Sequence, residues 1–359
     1  MNIRKATSNQ LSVHHIPAFI QFSADPGETL RHQLATMQAD QVAVLVDENT
    51  RRDCLPIINP ELDWRIVEIS SGENHKNIES CISLWTKLTS LGFTRQSVVV
   101  NLGGGVLGDM GGFVASTYKR GLRFINMPTT LLSQVDASIG GKLGIDFEGL
   151  KNHIGLFRDP NAIIIADIFL KTLPPEEIIS GFAEVLKHGL IADIEYWRNI
   201  KMIDPLSNES WETIIARSVA IKNEVVQADP GEKGKRKILN FGHTVGHAIE
   251  TWNLMQGNSI THGEAVAAGM IIESQMSKLM NFANAEDCLE IQQTVVRVYR
   301  KIETPDREEL MQLMKQDKKN SGGKISFSIL KQIGECAYDI SVSDEVIEES
   351  LNAYSKLYE

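Results

Sequence analysis

The sequence predicts two unlike halves: an α/β half with a Rossmann-like parallel sheet over residues 1–173, then a mostly α-helical half over 174–359. Three observations carry the prediction. Short apolar runs alternate with amphipathic stretches through the first half, the trace that βαβ units leave in a sequence. After Pro174-Pro175 the period changes and stays helical. A length of 359 residues exceeds what one core organises, and 42% hydrophobic content suffices for two.

In chain order, 42–46 is a continuous apolar run, as expected of a strand covered on both faces, and 65–69 reads as a second strand. Apolar positions recur at helical spacing over 77–91. A strand at 97–101 leads through a glycine-rich turn into a helix ending near 118, and strands follow near 123–126 and 162–166. The second half predicts helices at 176–191, 211–227, 238–252, 263–280, 287–300 and 307–318. Two short strands near 325–330 and 337–342 then precede a closing helix at 344–358. No element is read before residue 42.

The formal net charge of −10 argues against nucleic acid or an anionic membrane as the main partner, since those surfaces select basic patches. An acidic small molecule stays open, because Lys233, Lys235, Arg236 and Lys237, and Lys318 with Lys319, are local basic clusters. The cysteines at 54, 81, 288 and 336 follow no metal-binding or disulfide spacing, which fits a reducing cytoplasm. Residues 1–10 lack the apolar core of a signal peptide, and no 18-residue uncharged apolar run occurs. A cytoplasmic protein is the expectation.

Four features carry chemistry. The run Leu239-Asn240-Phe241-Gly242-His243-Thr244-Val245-Gly246-His247 sets two histidines four apart, on one face if helical, and His262 lies one excursion away. Glu184 sits among apolar neighbours and is placed to complete a Glu/His/His metal shell with open positions, while Lys187 follows one turn later. Gly103-Gly104-Gly105-Val106-Leu107-Gly108 follows a predicted strand and opens a helix, so its amides can approach a pyrophosphate. The acid expected about 20 residues later is not obvious. Upstream candidates are Asp47, Asn49 and the run Gly72-Glu73-Asn74-His75-Lys76. Fourth, 118–152 gathers Lys119, Arg120, Thr129, Thr130, Gln134, Asp136, Lys142, Lys151 and Asn152, either a solvated loop or a phosphate- and carboxylate-binding stretch.

Taken together, Gly103 to Asp109, Pro128-Thr129-Thr130-Leu131-Leu132, the run 134–142, Ala183-Glu184-Val185, the run 239–244 and His262-Gly263-Glu264-Ala265-Val266 closely resemble the 3-dehydroquinate synthase family, from about residue 40 to about 335. The resemblance implies NAD on the first half and one divalent metal ion, zinc or cobalt, per subunit on the helical half. It implies conversion of 3-deoxy-arabino-heptulosonate 7-phosphate into 3-dehydroquinate and phosphate by transient oxidation, elimination, re-reduction and aldol closure. A homodimer without nucleic-acid or membrane partners is also implied.

By the same resemblance the metal ligands are Glu184, His243 and His262, and His247 falls on the substrate side. Its companions there are Lys142, Asn152, Lys187, Lys222, Arg236 and Asn240, with Asp136, Arg120 and Lys319 (or Lys318) completing the pocket. The matching NAD positions are Asp47, Asn49, Ser71, Gly72, Glu73, Asn74, His75, Lys76, Gly104, Gly105, Val106, Leu107, Gly108 and Asp109. They continue with Thr129, Thr130, Lys142, Lys151, Phe169, Leu170, Lys171 and Thr172. Rival readings are another sugar phosphate cyclase, of the 2-deoxy-scyllo-inosose or 2-epi-5-epi-valiolone synthase kind, an NAD- and metal-dependent alcohol dehydrogenase, and a non-catalytic nucleotide-binding protein.

Overall fold

A computed structural model describes residues 16–61, 63–148, 150–316 and 325–358. Six parallel strands form one sheet: β1 (Ile20–Phe22), β2 (Val42–Val46), β3 (Arg65–Glu68), β4 (Val98–Gly103), β5 (Arg123–Pro128) and, after a two-stranded hairpin, β8 (Ala162–Ile165). Their order is β1-β8-β5-β4-β2-β3. β2 and β4 are buried along their whole length because helices cover both faces, which explains their unbroken apolar sequence. Alternation still sorts the side chains: Ala43 and Leu45 pack toward α4 (Ile78–Ser90) and α5 (Gly105–Thr117). Val42, Val44 and Val46 pack on the opposite side, toward α1 (Pro26–Met37) and the short α3 (Leu55–Ile58), which follows α2 (Glu48–Asp53).

From β2 the chain steps outward to β3, then back past β2 to β4 and onward to β5 and β8. The direction reverses between β2 and β4, and ligands of doubly wound sheets bind in the crevice at that point, beyond the carboxyl ends of the strands. This order also explains the missing acid downstream of the glycines: the strand beside β4 at the reversal is β2, which precedes it and is followed directly by Asp47.

The helical half comprises α6 (Pro175–Ala192), α7 (Ile194–Ile200), α8 (Glu212–Ala228), α9 (His243–Met255), α10 (His262–Leu279), α11 (Ala285–Val298), α12 (Arg307–Gln316) and α13 (Asp344–Lys356), with a hairpin of β9 (Phe327–Gln332) and β10 (Glu335–Ile340). α10 is central, packing on α9, α6, α11 and α13, and residues 265–277 along it are all buried. Among the described residues no helix is long and apolar enough to cross a membrane.

Three expectations need correction. The helix read over 238–252 is broken: one tight turn covers 235–240, Gly242 takes φ +79°, and the helix begins only at His243. The polar stretch 118–152 is not one solvated loop, since it contains β5 and the start of a hairpin of β6 (Lys142–Phe147) and β7 (Leu150–Phe157), whose Leu143 and Ile145 pack against α5. Finally, β1 and α1 precede residue 42.

Candidate functional site

The glycine turn stands at the carboxyl end of β4, with Gly104 just before the first turn of α5 and no side chain capping that helix. Its unsatisfied amides therefore face the crevice, the arrangement that receives a phosphate. The glycines divide by role. A Cβ on Gly103 would strike Leu107 at 2.2 Å and one on Gly111 would strike the Asn101 side-chain Oδ1 at 2.1 Å, so both permit packing. A Cβ on Gly108 would meet nothing within 4 Å. Gly104, Gly105, Gly108 and Asp109 line one small cavity with Ser133 and Ser138.

Behind this turn, buried Lys76 binds Asp109 Oδ2 and Asn152 Oδ1, each at 2.7 Å. Asn152 takes φ +49°, and its N–H donates to Asp146 at 2.6 Å. Burial raises the Asp109 carboxyl above its ordinary value, with Lys76 opposing the shift. Three sequence-predicted residues, from α5, β7 and the loop before α4, thus form one contact group.

The second group lies on the helical half. Glu184 of α6 is fully buried, and its Oε1 lies 3.4 Å from His243 Nε2 and 4.0 Å from His262 Nε2. The His243 ring is 5.4 Å from that of His262 and 5.2 Å from that of His247, so ring distances alone do not single out His247. The other nitrogens of the two nearer rings are held from behind: His243 Nδ1 lies 3.2 Å from the Phe241 carbonyl and His262 Nδ1 lies 3.4 Å from Glu250. Such contacts fix tautomer and ring direction, leaving both Nε2 atoms facing Glu184. Ser180, one turn before Glu184 on α6, accepts from Gly263 N at 3.1 Å, and a Cβ on Gly263 would lie 2.1 Å from the Ser180 carbonyl oxygen. That close approach is what brings α6 and the start of α10 together.

Between the groups lies a third set. Lys187 pairs with Glu184 one turn earlier, and Lys222 of α8 reaches across to Asp136 Oδ1 at 2.8 Å. Asp136 sits on a wide turn over 133–137, with His188 Nε2 at 3.6 Å. Burial opposes its ionisation, but Lys222 and Lys187 outweigh burial and hold the carboxyl well below the usual range. Arg236 is buried, donates to the carbonyls of Pro230 at 2.9 Å and Gly140 at 3.3 Å, and its Nε has no hydrogen-bond partner among the described residues. A buried guanidinium N–H without a partner suits an anion.

Reading the sequence missed two contacts. Glu232 bridges Lys142 and Asn240, the latter at 3.1 Å. No spacing signal marks it, because its partner Lys142 is 90 residues away and its own loop backbone is left-handed at φ +55°. Glu250 joins Lys151 (2.9 Å) to His262, and its place three residues after His247 on the same helix was the available clue.

Other predicted positions fall outside these groups. Asp47 caps α2, accepting from Thr50 N at 2.7 Å, and Ser71 donates to Glu48. Glu73 lies 3.9 Å from Lys76, while Asn49, Asn74, His75 and Lys171 are exposed. Thr129 is buried, and Thr130 exchanges hydrogen bonds with Ser133. Phe169 and Leu170 bury their side chains in two different cores. Arg120 follows the far end of α5, beside the start of β5, about 20 Å along that helix from the glycine turn. Lys319 and Lys318 lie outside the described residues.

Comparisons with known proteins place the chain in a family. The family described as 3-dehydroquinate synthase N-terminal matches residues 66–180, and that described as 3-dehydroquinate synthase C-terminal matches 181–320. A 3-dehydroquinate synthase of Parabacteroides distasonis is 40% identical over 337 residues, covering 92% of this chain and 95% of the relative. One from Pyrococcus abyssi is 42% identical over 307 residues, covering 83% and 84%. Among solved structures, a 2-deoxy-scyllo-inosose synthase complexed with carbaglucose-6-phosphate, NAD+ and Co2+ superposes with a TM-score of 0.80 at 23% identity over 93% of this chain and 96% of the other. A 2-epi-5-epi-valiolone synthase from Streptomyces hygroscopicus with NAD+ and Zn2+ gives 0.85 at 21% over 99% of each. These structural likenesses establish the shared fold. The motifs assembled around the crevice, the two matching halves and the near full-length relatives agree, and the chain belongs to the 3-dehydroquinate synthase family.

Proposed function

We propose that the chain converts 3-deoxy-D-arabino-heptulosonate 7-phosphate into 3-dehydroquinate and inorganic phosphate, a carbon–oxygen lyase of the shikimate pathway acting in the cytoplasm as a homodimer. The observation that carries the reading is the convergence of Glu184, His243 and His262 beside Lys187, with Lys222 close enough to be felt electrostatically by the same group. The family relationship supports it, and the glycine turn at the sheet reversal supports a dinucleotide.

The donor set fits a divalent ion: a buried carboxylate oxygen is faced by two imidazole nitrogens, and imidazole binds a cation without changing charge. Zinc or cobalt, one per subunit, would be held by Glu184, His243 and His262. The glycine turn fits NAD, since a Cβ at Gly104 would press Thr130 at 3.2 Å and Gly108 opens on free space. When bound, the metal supplies a Lewis acid and NAD a reversible hydride acceptor.

The chain's own residues do the rest. Arg236, with a free Nε donor, and Asn240 suit the substrate carboxylate, which favours this reading over cyclases whose substrates lack one. Asp136 stays ionised and holds the Lys222 ammonium, so one cation is fixed where the anionic substrate enters. Glu232 keeps Lys142 and Asn240 aligned. His247, one turn beyond His243, falls on the substrate side by the family resemblance and would there move a proton.

Phosphate release from the heptulosonate phosphate tests the proposal. It should require both NAD and a divalent metal. His243→Ala should lose metal and rate together, whereas His247→Ala should retain metal and lose about 10²–10⁴-fold in rate. Release that survives exhaustive chelation would refute the metal assignment.

A further inference from the structure

α9 carries both His243 and His247, yet it begins without a cap of its own. Its N-cap residue is Gly242, which has no side chain, and the third residue is Val245, which has no polar one. Elsewhere in this molecule the same task is done locally: Thr261 and Glu264 form a reciprocal capping box at the start of α10, and Asp47 and Thr50 form one at α2. Packing forbids that solution at α9. Gly242 is at φ +79°, and a Cβ there would lie 2.6 Å from Met270 and 3.0 Å from the Val266 carbonyl oxygen. A Cβ on Gly269 would lie 2.0 Å from the Gly242 carbonyl oxygen, and one on Gly246 would lie 2.9 Å from that of Ala265. α9 and α10 therefore meet backbone to backbone.

Glu273, three turns into α10 and fully buried, supplies what the junction lacks. Its Oε2 accepts from Gly242 N at 2.6 Å and its Oε1 from Val245 N at 3.0 Å. Those are the two amides that a capping box satisfies, here taken by one carboxylate from a neighbouring helix. The carboxylate also sets negative charge at the positive end of the α9 dipole, one residue from His243.

We propose that Glu273 is a positioning residue for the metal centre: by capping α9 from α10 it fixes the start of the helix, and so the directions of His243 and His247 relative to His262. The proposal rests on the assignment of Glu184, His243 and His262 as ligands. The charge matters as well as the shape, because the first-turn amides and a bound dication both favour an anion at this point. Partners that orient metal ligands from behind cost about 10–100-fold in metal affinity when removed, and Glu273 should fall in that range.

The test measures zinc affinity of the full chain by competition with a chromophoric chelator, together with the visible absorption of the cobalt-loaded protein and the split between kcat and KM. Glu273→Gln keeps the shape and one acceptor but removes the charge, and Glu273→Asp keeps the charge and withdraws it by one methylene. Asn284→Ala serves as a comparison, since it removes the cap of α11, where Asn284 accepts from Asp287 N at 2.7 Å and no proposed ligand resides.

The expected result is a zinc affinity 10–100-fold weaker for Glu273→Gln, an altered cobalt spectrum and a lower kcat with KM little changed. Glu273→Asp should be intermediate, and it reads the same quantities if the Gln variant does not fold. Asn284→Ala should lose stability alone. If the Glu273 variants lose melting temperature as Asn284→Ala does while zinc affinity and the cobalt spectrum match the parent, the residue is an ordinary cap and the proposal is wrong. Failure of the underlying assignment looks different: the unaltered chain would then bind zinc no better than His243→Ala does.

Discussion

Asp136 shows how one carboxylate sets the electrostatics of the crevice. It pairs with Lys222 at 2.8 Å, and the ammonium also donates to its carbonyl oxygen. Its folded pKa lies below the ordinary 3.8, so its contribution to stability is complete above about pH 4 and is lost as pH falls further. Asp136→Asn leaves the Lys222 charge buried with weaker compensation. It should cost about 3 kcal/mol at pH 7, the lower end of the range for breaking a buried pair, and the gap from the parent should narrow on acidification toward pH 3. Urea denaturation at the two pH values checks this, and a gap independent of pH would argue against the pairing. The sequence marked both Asp136 and Lys222 as candidates but not their pairing, because α8 supplies Lys222 from 86 residues away.

At the level of elements, the turn from β4 into α5 separates glycines needed for packing from glycines needed for access. Gly111→Ala drives a methyl into Asn101 at 2.1 Å and Leu45 at 3.0 Å, and overpacking of this kind should cost about 1–3 kcal/mol. Gly108→Ala puts its methyl where nothing lies within 4 Å, on the wall of the small cavity at the turn, and should leave stability within about 0.5 kcal/mol while weakening NAD binding. Thermal melts and NAD titration of both variants distinguish the roles. This turn was legible in the sequence because its signal is local, a strand, a glycine run and a helix. The hairpin of β6 and β7 was hidden by its polar tip, although Leu143, Ile145 and Phe147 alternate as a half-buried strand should. α1 was missed because only four of its twelve residues are buried, although Asp25 followed by Pro26 is a helix-start signal. The break at Gly242 could not be read at all, since it comes from the close approach of α10, an element 20 residues further on.

For the whole molecule, contacts across the crevice tie the sheet half to the helical half: Lys142 to Glu232, Lys151 to Glu250, Asp136 to Lys222 and Gly140 to Arg236. The identity of most of these site residues was legible through motif order and family resemblance. Their pairing was not, because each pair joins segments about 86–99 residues apart. The proposed function makes the glycine turn and the Glu/His/His group walls of one crevice, where a dinucleotide and a metal-bound substrate meet. An alcohol dehydrogenase of related fold would use the same walls but release reduced cofactor. The decisive measurement is therefore the ratio of NADH accumulated, read by absorbance at 340 nm, to phosphate released during turnover of the heptulosonate phosphate. A catalytic, regenerated cofactor predicts a ratio near zero over many turnovers. A ratio of one or more would contradict the account, because the reduced cofactor would then leave as a product.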